Sequence, residues 1–368
     1  MFLGIDISTY FEEKEINAKY YIDGREVDPI KIFVNQGVSY MRIRVWNHPY
    51  DEEGHPYLAG TNDTKEFIRL GTLAKKYGMR IILDFHYSDF WADPGKQYAP
   101  KEWKDLSFEE VVDKVYEFSK EVLLLAKEKD LPIDYVQVGN EITNGMIWPF
   151  GQLDGSVSPR RGYENLFKLL ESGVKAVRDF SQAKVIIHLE RSYDQVIYNE
   201  FFSHMVKYGL DYDVIGMSYY PYWHGTTVQL FANIKMLKEK FHKDVMIVET
   251  GYGFTAEDYI KEGSHAQLVF TDGEKDYLNQ KMEYPMTKDG QRKFVKDLLE
   301  KAQTAGVVGV CYWEPLWLPG EGICWASKYV LPYIHQEDAK SLRNEWANQC
   351  LYDYEGNALP ALSEFRIK

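Results

Sequence analysis

Eight short apolar runs recur along the chain, and most of the intervals between them have helical periodicity. Each run is rich in β-branched or aromatic residues and has the length of a strand that is buried on both faces. The runs lie at 2–8, 40–46, 79–88, 133–142, 184–190, 212–221, 244–252 and 307–315. Repeated strand-then-helix units predict an α/β fold, a (β/α)8 or TIM barrel with parallel strands inside and helices outside.

A doubly wound open sheet is the competing fold for alternating strands and helices. That fold is marked by a Gly-x-Gly-x-x-Gly turn after the first strand, but the chain reads GIDISTY from Gly4. No linker rich in Pro, Gly or Ser divides the sequence. We therefore expect residues 1–368 to form a single barrel domain.

Composition narrows the classes of partner. Hydrophobic residues make up 45% and charged residues 27% of the chain, which is typical of a globular protein. A formal charge of −13 disfavours nucleic acid, whose phosphates need clustered Lys and Arg. The sequence contains no stretch of about 18 consecutive apolar residues, so no membrane span is predicted. The charge does not argue against a neutral ligand. A monomer is the default expectation.

The cysteines and the N-terminus bear on the compartment. The chain has three cysteines, Cys311, Cys324 and Cys350, and their spacing is not that of metal ligands. An odd number disfavours a disulfide framework, but a single Cys324–Cys350 bridge remains an alternative. No signal peptide precedes the first apolar run. Either such a signal has been removed or the protein stays inside the cell. We expect an extracellular protein, with the cytoplasm as the open alternative.

Polar and aromatic side chains follow the bodies of all eight predicted strands. In a TIM barrel the C-terminal strand ends build the active site, while the strand bodies pack the core. Any single one of these residues could have a purely structural role, but their recurrence at every strand predicts a common site. They are Asp6, Arg44, Trp46, Asp84, His86, Asn140, Glu141, His188, Glu190, Tyr219, Tyr220, Glu249, Trp313 and Glu314.

Two of these acids, Glu141 and Glu249, end the fourth and seventh strands, across the barrel mouth from each other. Two carboxylates facing one pocket are the groups that glycoside hydrolysis requires: one donates a proton, and the other attacks or activates water. An ion pair with Arg42 or Arg44 is the structural alternative for either Glu alone. A metal site is less favoured, because only DFHYSD at 84–89 places His and carboxylates close together.

Longer segments carry a resemblance. They read GIDIS (4–8), MRIRVWN (41–47), ILDFHYSDFWADPGKQ (82–97), VGNEI (138–142), SYYPYW (218–223), IVETGY (247–252), YWEPLW (312–317) and NQCLYDYEGNALPAL (348–362). With Asn-Glu after strand four and Glu after strand seven, the chain resembles the retaining glycoside hydrolases of clan A. More specifically, it resembles the endo-β-1,4-galactanases of glycoside hydrolase family 53, over essentially its whole length.

The resemblance implies roles for individual residues. Glu141 would be the general acid/base and Glu249 the nucleophile, with Asn140 holding the sugar 2-hydroxyl. Arg44 and Tyr219 would orient Glu249. Trp313 would form the floor of the reacting subsite, and Trp317 and Trp325 would be stacking platforms further along the groove. The substrate-binding set is completed by Trp46, Asp84, His86, Asp89 and Trp91.

The resemblance also bears on cofactors and on the reaction. Bacterial relatives often carry a calcium site after strand seven; Asp258 and His265 are present here, but Gln267 stands where Asn is expected. We therefore predict no cofactor and leave calcium open. The expected partner is β-1,4-galactan, with neither nucleic acid nor membrane. The alternatives are another clan A endo-glycanase, such as a glucanase or mannanase, and a carbohydrate-binding barrel without catalysis.

Overall fold

Eight parallel strands close into a barrel in a computed structural model that describes residues 1–155, 157–260, 282–335 and 343–366. Each strand pairs with its neighbours in chain order, and β8 closes the ring on β1. The predicted (β/α)8 barrel is confirmed. The strands are β1 (Phe2–Asp6), β2 (Val38–Val45), β3 (Arg80–Phe85), β4 (Ile133–Val138), β5 (Lys184–Leu189), β6 (Val214–Tyr219), β7 (Asp244–Thr250) and β8 (Gly309–Trp313).

Helices cover the outside of the barrel. Several helices are preceded by a residue whose side chain accepts hydrogen bonds from free N–H groups of the first turn. Ser107 and Thr226 do so in capping boxes. In the described part of the chain the helices are α1 (Tyr10–Glu15), α2 (Pro29–Asn35), α3 (Thr64–Lys76), α4 (Phe108–Glu128), α5 (Tyr163–Phe180), α6 (Gln195–Tyr208), α7 (Thr227–Phe241), α8 (Lys288–Thr304) and α9 (Pro360–Glu364). Two short hairpins, Tyr20–Ile22 with Arg25–Val27 and Gly145–Met146 with Gly151–Gln152, lie between these elements.

Alternation along the strands separates two cores. Inward residues form a cluster that fills the barrel, and outward residues pack with the helices in the larger core. The inward cluster consists of Ile82, Ile186, Val214, Met246, Val248 and Cys311. Above this layer the inward positions become polar, so the fold itself brings those side chains to one end of the barrel.

Strand β7 departs from this alternation. Met217 and Ser218 on β6 pair with Ile247 and Glu249, so that Val248 is an extra residue on β7. Val248 belongs to the inward cluster, and strict alternation would therefore turn Glu249 outward. The irregularity lets two successive residues face inward, an effect for which β-bulges near active sites are known.

Two further expectations concern the cysteines and the membrane. Cys311 and Cys350 carry free, buried thiols, so the Cys324–Cys350 bridge does not form. Among the described residues, no helix combines the length and the apolar character that a membrane span requires.

Candidate active site

A cavity of 480 Å³ opens at the C-terminal end of the barrel strands, within the size range of ligand sites. Charged groups lie at its base, and five tryptophans contribute to its walls. The lining residues are Arg42, Arg44, His86, Trp91, Ala92, Asp93, Pro94, Lys96, Asn140, Glu141, Glu190, Arg191, Tyr193, Tyr220, Trp223, His224, Glu249, Trp313, Trp325 and Trp346.

Glu141 follows the end of β4 in an unusual backbone conformation. Its φ of 50° lies in the left-handed region, and Gly139, two residues earlier, has φ of 85°. The Ser218 hydroxyl lies 2.6 Å from Glu141 Oε1. Burial raises the pKa of Glu141 well above its usual range, and the charges of Glu249 and Glu190 raise it further. Glu141 is therefore suited to keep a proton near neutral pH.

Glu249 lies in a different electrostatic environment. Arg42 Nη1 is 2.8 Å from Glu249 Oε1, and the Tyr220 hydroxyl donates to Glu249 Oε2 at 3.1 Å. Burial raises the pKa of Glu249, and the Arg42 charge offsets part of that rise. One carboxylate oxygen of Glu249 lies within 4.8 Å of one of Glu141. The two neighbouring acids thus differ in how strongly their ionised forms are stabilised.

Arg42 connects the site to the barrel core. Its guanidinium is 3.0 Å from Asp6 Oδ2 and 2.8 Å from Asp84 Oδ2, in addition to its contact with Glu249. It also donates to Asn140 Oδ1 at 2.9 Å. Buried charges need partners that compensate for lost hydration, and this cation has three carboxylates. The network fixes Glu249 against a rigid base.

Asn140 lines the cavity with part of its hydrogen-bonding capacity engaged. Its Oδ1 accepts from Arg42, and its Nδ2 donates to the Ala92 carbonyl at 2.9 Å. An amide nitrogen carries two hydrogens, so one remains for a ligand. Beside it, Arg44 lies 4.2 Å from the Trp91 ring centre in a cation–π contact.

The structure brings together only part of the catalytic and substrate-binding set that the family resemblance implied. The predicted residues that line the cavity are Arg44, His86, Trp91, Asn140, Glu141, Glu249, Trp313 and Trp325. The predicted residues that do not line it are Trp46, Asp84, Asp89, Tyr219 and Trp317, all buried.

The prediction that Arg44 and Tyr219 hold Glu249 is wrong. Alternation on β6 turns Tyr219 outward, where its ring packs 6.2 Å from Phe294 and its hydroxyl donates to the Gly225 carbonyl. Tyr220, one residue later, contacts the nucleophile candidate instead. Arg44 pairs with Glu314 at 2.6 Å, while Arg42, two residues earlier on the same face of β2, reaches Glu249.

Trp317 is also placed wrongly by the sequence prediction. It is fully buried, with its ring 6.4 Å from Trp91 and 5.8 Å from Trp313. Asn344 donates to the Trp317 carbonyl, so the C-terminal segment packs over this part of the loop. Trp317 therefore supports the cavity wall from behind and offers no face to a sugar.

Trp46, Asp84 and Asp89 lie under the cavity as well. The Trp46 indole donates to His86 Nδ1 at 3.3 Å, and Asp84 contacts His86 Nε2 at 3.1 Å, so both hold a ring that does line the cavity. Asp89 accepts backbone N–H groups of His48 and Lys101 and fixes two loops. Their predicted direct contact with substrate is replaced by a supporting role.

Several lining residues were absent from the catalytic and substrate-binding set that the family resemblance implied. Strand alternation could have identified Arg42 and Tyr220 from the sequence. Arg42 shares its strand face with Arg44, and Tyr220 lies two residues after the inward Ser218. No sequence pattern points to Trp223 and Trp346. They lie in irregular segments far apart in sequence, and only the fold brings their rings to 6.0 Å.

Two clusters of described residues have spacings suited to a metal ion: Asp51 with Glu53 and His55, and Glu141 with His188 and Glu249. The second coincides with the carboxylate pair. Of the residues at the calcium-site positions of bacterial relatives, His265 and Gln267 lie outside the described residues, so the question of calcium binding by that loop stays open.

A TIM barrel with two unlike carboxylates in one cavity defines a site of the glycoside hydrolase class. The chain belongs to glycosyl hydrolase family 53, whose sequence pattern it matches over residues 2–365. The family resemblance found in the sequence is thereby confirmed.

Individual relatives extend over nearly the whole chain. "Endo-beta-1,4-galactanase" of Bacillus subtilis is 34% identical, covering 99% of this chain and 85% of its own length. The solved Ignisphaera aggregans GH53 catalytic domain is 34% identical with a TM-score of 0.86, covering 99% of this chain and 94% of its own. A solved fungal β-1,4-galactanase is 25% identical with a TM-score of 0.76, over 99% and 98% of the two chains.

Proposed function

We propose that the chain is an endo-acting, retaining glycoside hydrolase that cleaves β-1,4-galactosidic bonds in galactan, the side chain of type I arabinogalactan in pectin. The substrate is inferred from the relatives, two of which carry β-1,4-galactanase in their names. A cavity walled by tryptophans fits a sugar polymer, because pyranose rings offer apolar C–H faces to aromatic rings.

In the proposed first step, Glu249 attacks the anomeric carbon while Glu141 gives its proton to the departing glycosidic oxygen. Arg42 and Tyr220 favour the ionised nucleophile because both donate hydrogen bonds to its carboxylate. Among the described residues no cation contacts Glu141 as Arg42 contacts Glu249, and the raised pKa of Glu141 favours the protonated acid. The difference in environment supports this assignment of the two roles.

In the second step, Glu141 is ionised and takes a proton from water, which attacks the glycosyl–enzyme bond and releases Glu249. The observation that carries the retaining mechanism is the short approach of the two carboxylates, within 4.8 Å. Retaining enzymes hold these groups roughly 5–5.5 Å apart, whereas inverting enzymes need roughly 6.5–9.5 Å to admit a water molecule.

Product analysis on linear β-1,4-galactan tests this function. We expect a mixture of internal-cleavage oligosaccharides whose first-formed reducing ends are β-anomers by proton NMR. α-Anomers would contradict the retaining mechanism. Preferred turnover of carboxymethylcellulose or mannan would favour another clan A endo-glycanase, and binding to galactan without products would favour a non-catalytic barrel.

Three further properties belong to this proposal. A polymeric substrate favours an extracellular protein, because galactan does not cross a membrane; fractionation of the producing cells would test this. We expect one catalytic domain over residues 1–368, and a monomer, which light scattering of the purified chain would measure.

A further inference from the structure

A closed ring of hydrogen bonds connects the backbone of Glu141 to its own carboxylate. The Glu141 N–H donates to His188 Nδ1 at 3.3 Å. His188 Nε2 lies 2.8 Å from Ser218 Oγ, and Ser218 Oγ lies 2.6 Å from Glu141 Oε1. Both His188 and Ser218 are fully buried, and they come from the neighbouring strands β5 and β6.

The direction of these bonds follows from the groups around His188. Nδ1 has two donors in reach, the Glu141 N–H and Gln137 Nε2 at 3.0 Å. It also lies 2.9 Å from Asn140 Oδ1, an oxygen that already has two other donors, Arg42 at 2.9 Å and Gln137 Nε2 at 3.0 Å. The backbone N–H of Glu141 can only donate, so Nδ1 is the acceptor; a neutral imidazole with its proton on Nε2 accepts this bond and itself donates to Ser218. Burial lowers the pKa of His188 well below its usual range, which keeps the ring neutral.

With its oxygen accepting from His188, the Ser218 hydroxyl hydrogen is directed at Glu141 Oε1. That oxygen can accept a hydrogen bond whether the carboxyl group is ionised or protonated on its other oxygen. The ring therefore leaves Oε2 as the oxygen that carries the mobile proton. It also fixes the carboxylate relative to a backbone held in the left-handed region.

We propose that Ser218 and His188 are positioning residues for the acid/base Glu141, with His188 acting through Ser218 to present Oε2 to the scissile oxygen. This inference rests on the proposed function for the role of Glu141, but the hydrogen-bonded ring can be tested without turnover.

Other charged groups also face the Glu141 carboxyl group and must stay constant in the test. They are Glu249 on β7 with its partner Arg42 on β2, Glu190 at the end of β5, Asp93 after β3, and, beyond His188, His86, Arg191 and His224. The variants chosen below change none of them.

The primary measurement is the titration of Glu141 by ¹³C NMR of the side-chain carboxyl carbon in Ser218→Ala. The carboxylate loses a donor that the protonated form needs less, so we expect the pKa of Glu141 to rise by about one unit. Ser119→Ala is the matched control, because its buried hydroxyl bonds Tyr87 and the Val115 carbonyl outside the cavity. An unchanged or lowered pKa in Ser218→Ala overturns the proposal.

A second measurement needs no substitution in the ring. The ¹⁵N chemical shifts of His188 in the unmodified protein should report a neutral ring with its proton on Nε2. A proton on Nδ1 would make Nε2 an acceptor of the Ser218 hydroxyl and would break the ring, which refutes the inference even if every variant fails to fold.

Turnover supplies the third readout. In Ser218→Ala the basic limb of the kcat/KM profile on galactan should move up with the pKa of Glu141, and His188→Gln added to that variant should move it no further. A further shift would mean that His188 acts independently. If the unmodified chain does not cleave galactan, the proposed function fails, while the two NMR results still decide whether the ring exists.

Discussion

Trp317 and Trp325 follow the same strand, but we expect their truncation to have opposite effects. Trp317 is fully buried against Trp91 and Trp313, whereas Trp325 is partly exposed and lines the cavity. Trp317→Ala should therefore cost about 3–5 kcal/mol of folding free energy, the usual cost of deleting a buried indole. Trp325→Ala should leave most of the fold intact and weaken the contact with sugar.

The change in melting temperature that corresponds to this loss of folding free energy depends on the length of the chain. An unfolding entropy of about 2.1 cal/mol/K per residue gives roughly 0.8 kcal/mol/K for a chain of this size. Trp317→Ala should thus melt about 4–6 °C lower. For Trp325→Ala we expect a smaller shift and a loss of about 1 kcal/mol or more in galactan binding, because a stacking surface is removed.

Differential scanning calorimetry and activity on galactans of different length separate the two effects. Trp325→Ala should lose more activity on polymer than on the shortest cleavable oligosaccharide, since remote subsites contribute binding energy used at the bond that is cut. Trp317→Ala should change both substrates equally. Trp317 would be a groove residue and not a buried one if Trp317→Ala melted within about 2 °C of the unmodified chain and lost its preference for long galactan.

Three further predictions concern the acids. Glu249→Ala should lose turnover, and added azide should yield the α-glycosyl azide because it attacks from the vacated face; a β-azide would reverse the roles of Glu249 and Glu141. Tyr220→Phe should lower kcat/KM about 10–100-fold by removing a hydrogen bond to a charged group, while Tyr219→Phe, whose ring faces the helices, should leave it unchanged in the same assay. Glu249→Gln removes a neighbouring negative charge, so the pKa of Glu141 should fall in a ¹³C NMR titration; a rise would contradict the proposed coupling.

The sequence predicted the barrel because its strands are buried on both faces and its helices are amphipathic, patterns that are local and repeated. Glu141 and Glu249 could be selected for a similar reason, since carboxylates at the ends of apolar runs stand out from their surroundings. The partner of Glu249 could not be selected as well. Tyr219 and Tyr220 are adjacent and chemically identical, and only the strand register decides which one faces inward.

The tryptophans after β8 show a different limit. Trp317 and Trp325 lie in a segment rich in Pro and Gly, where no periodicity separates a buried face from an exposed one. Whether each ring is buried or exposed depends on the C-terminal segment. This segment packs over Trp317 and places Trp346 on the cavity wall. Contacts between irregular segments distant in sequence leave no local pattern to read.

Because Val248 is an extra residue on β7, the inward position of the candidate nucleophile Glu249 depends on a local irregularity of the backbone. If β7 kept Val248 but followed regular alternation, Met246 and Val248 would both face the barrel interior and Glu249 would turn toward the helices. Every candidate catalytic side chain would still be present in the chain. A barrel redesigned with ideal strands would incur the same loss, so transplanting this chemistry to another scaffold requires copying the strand irregularity together with the residues.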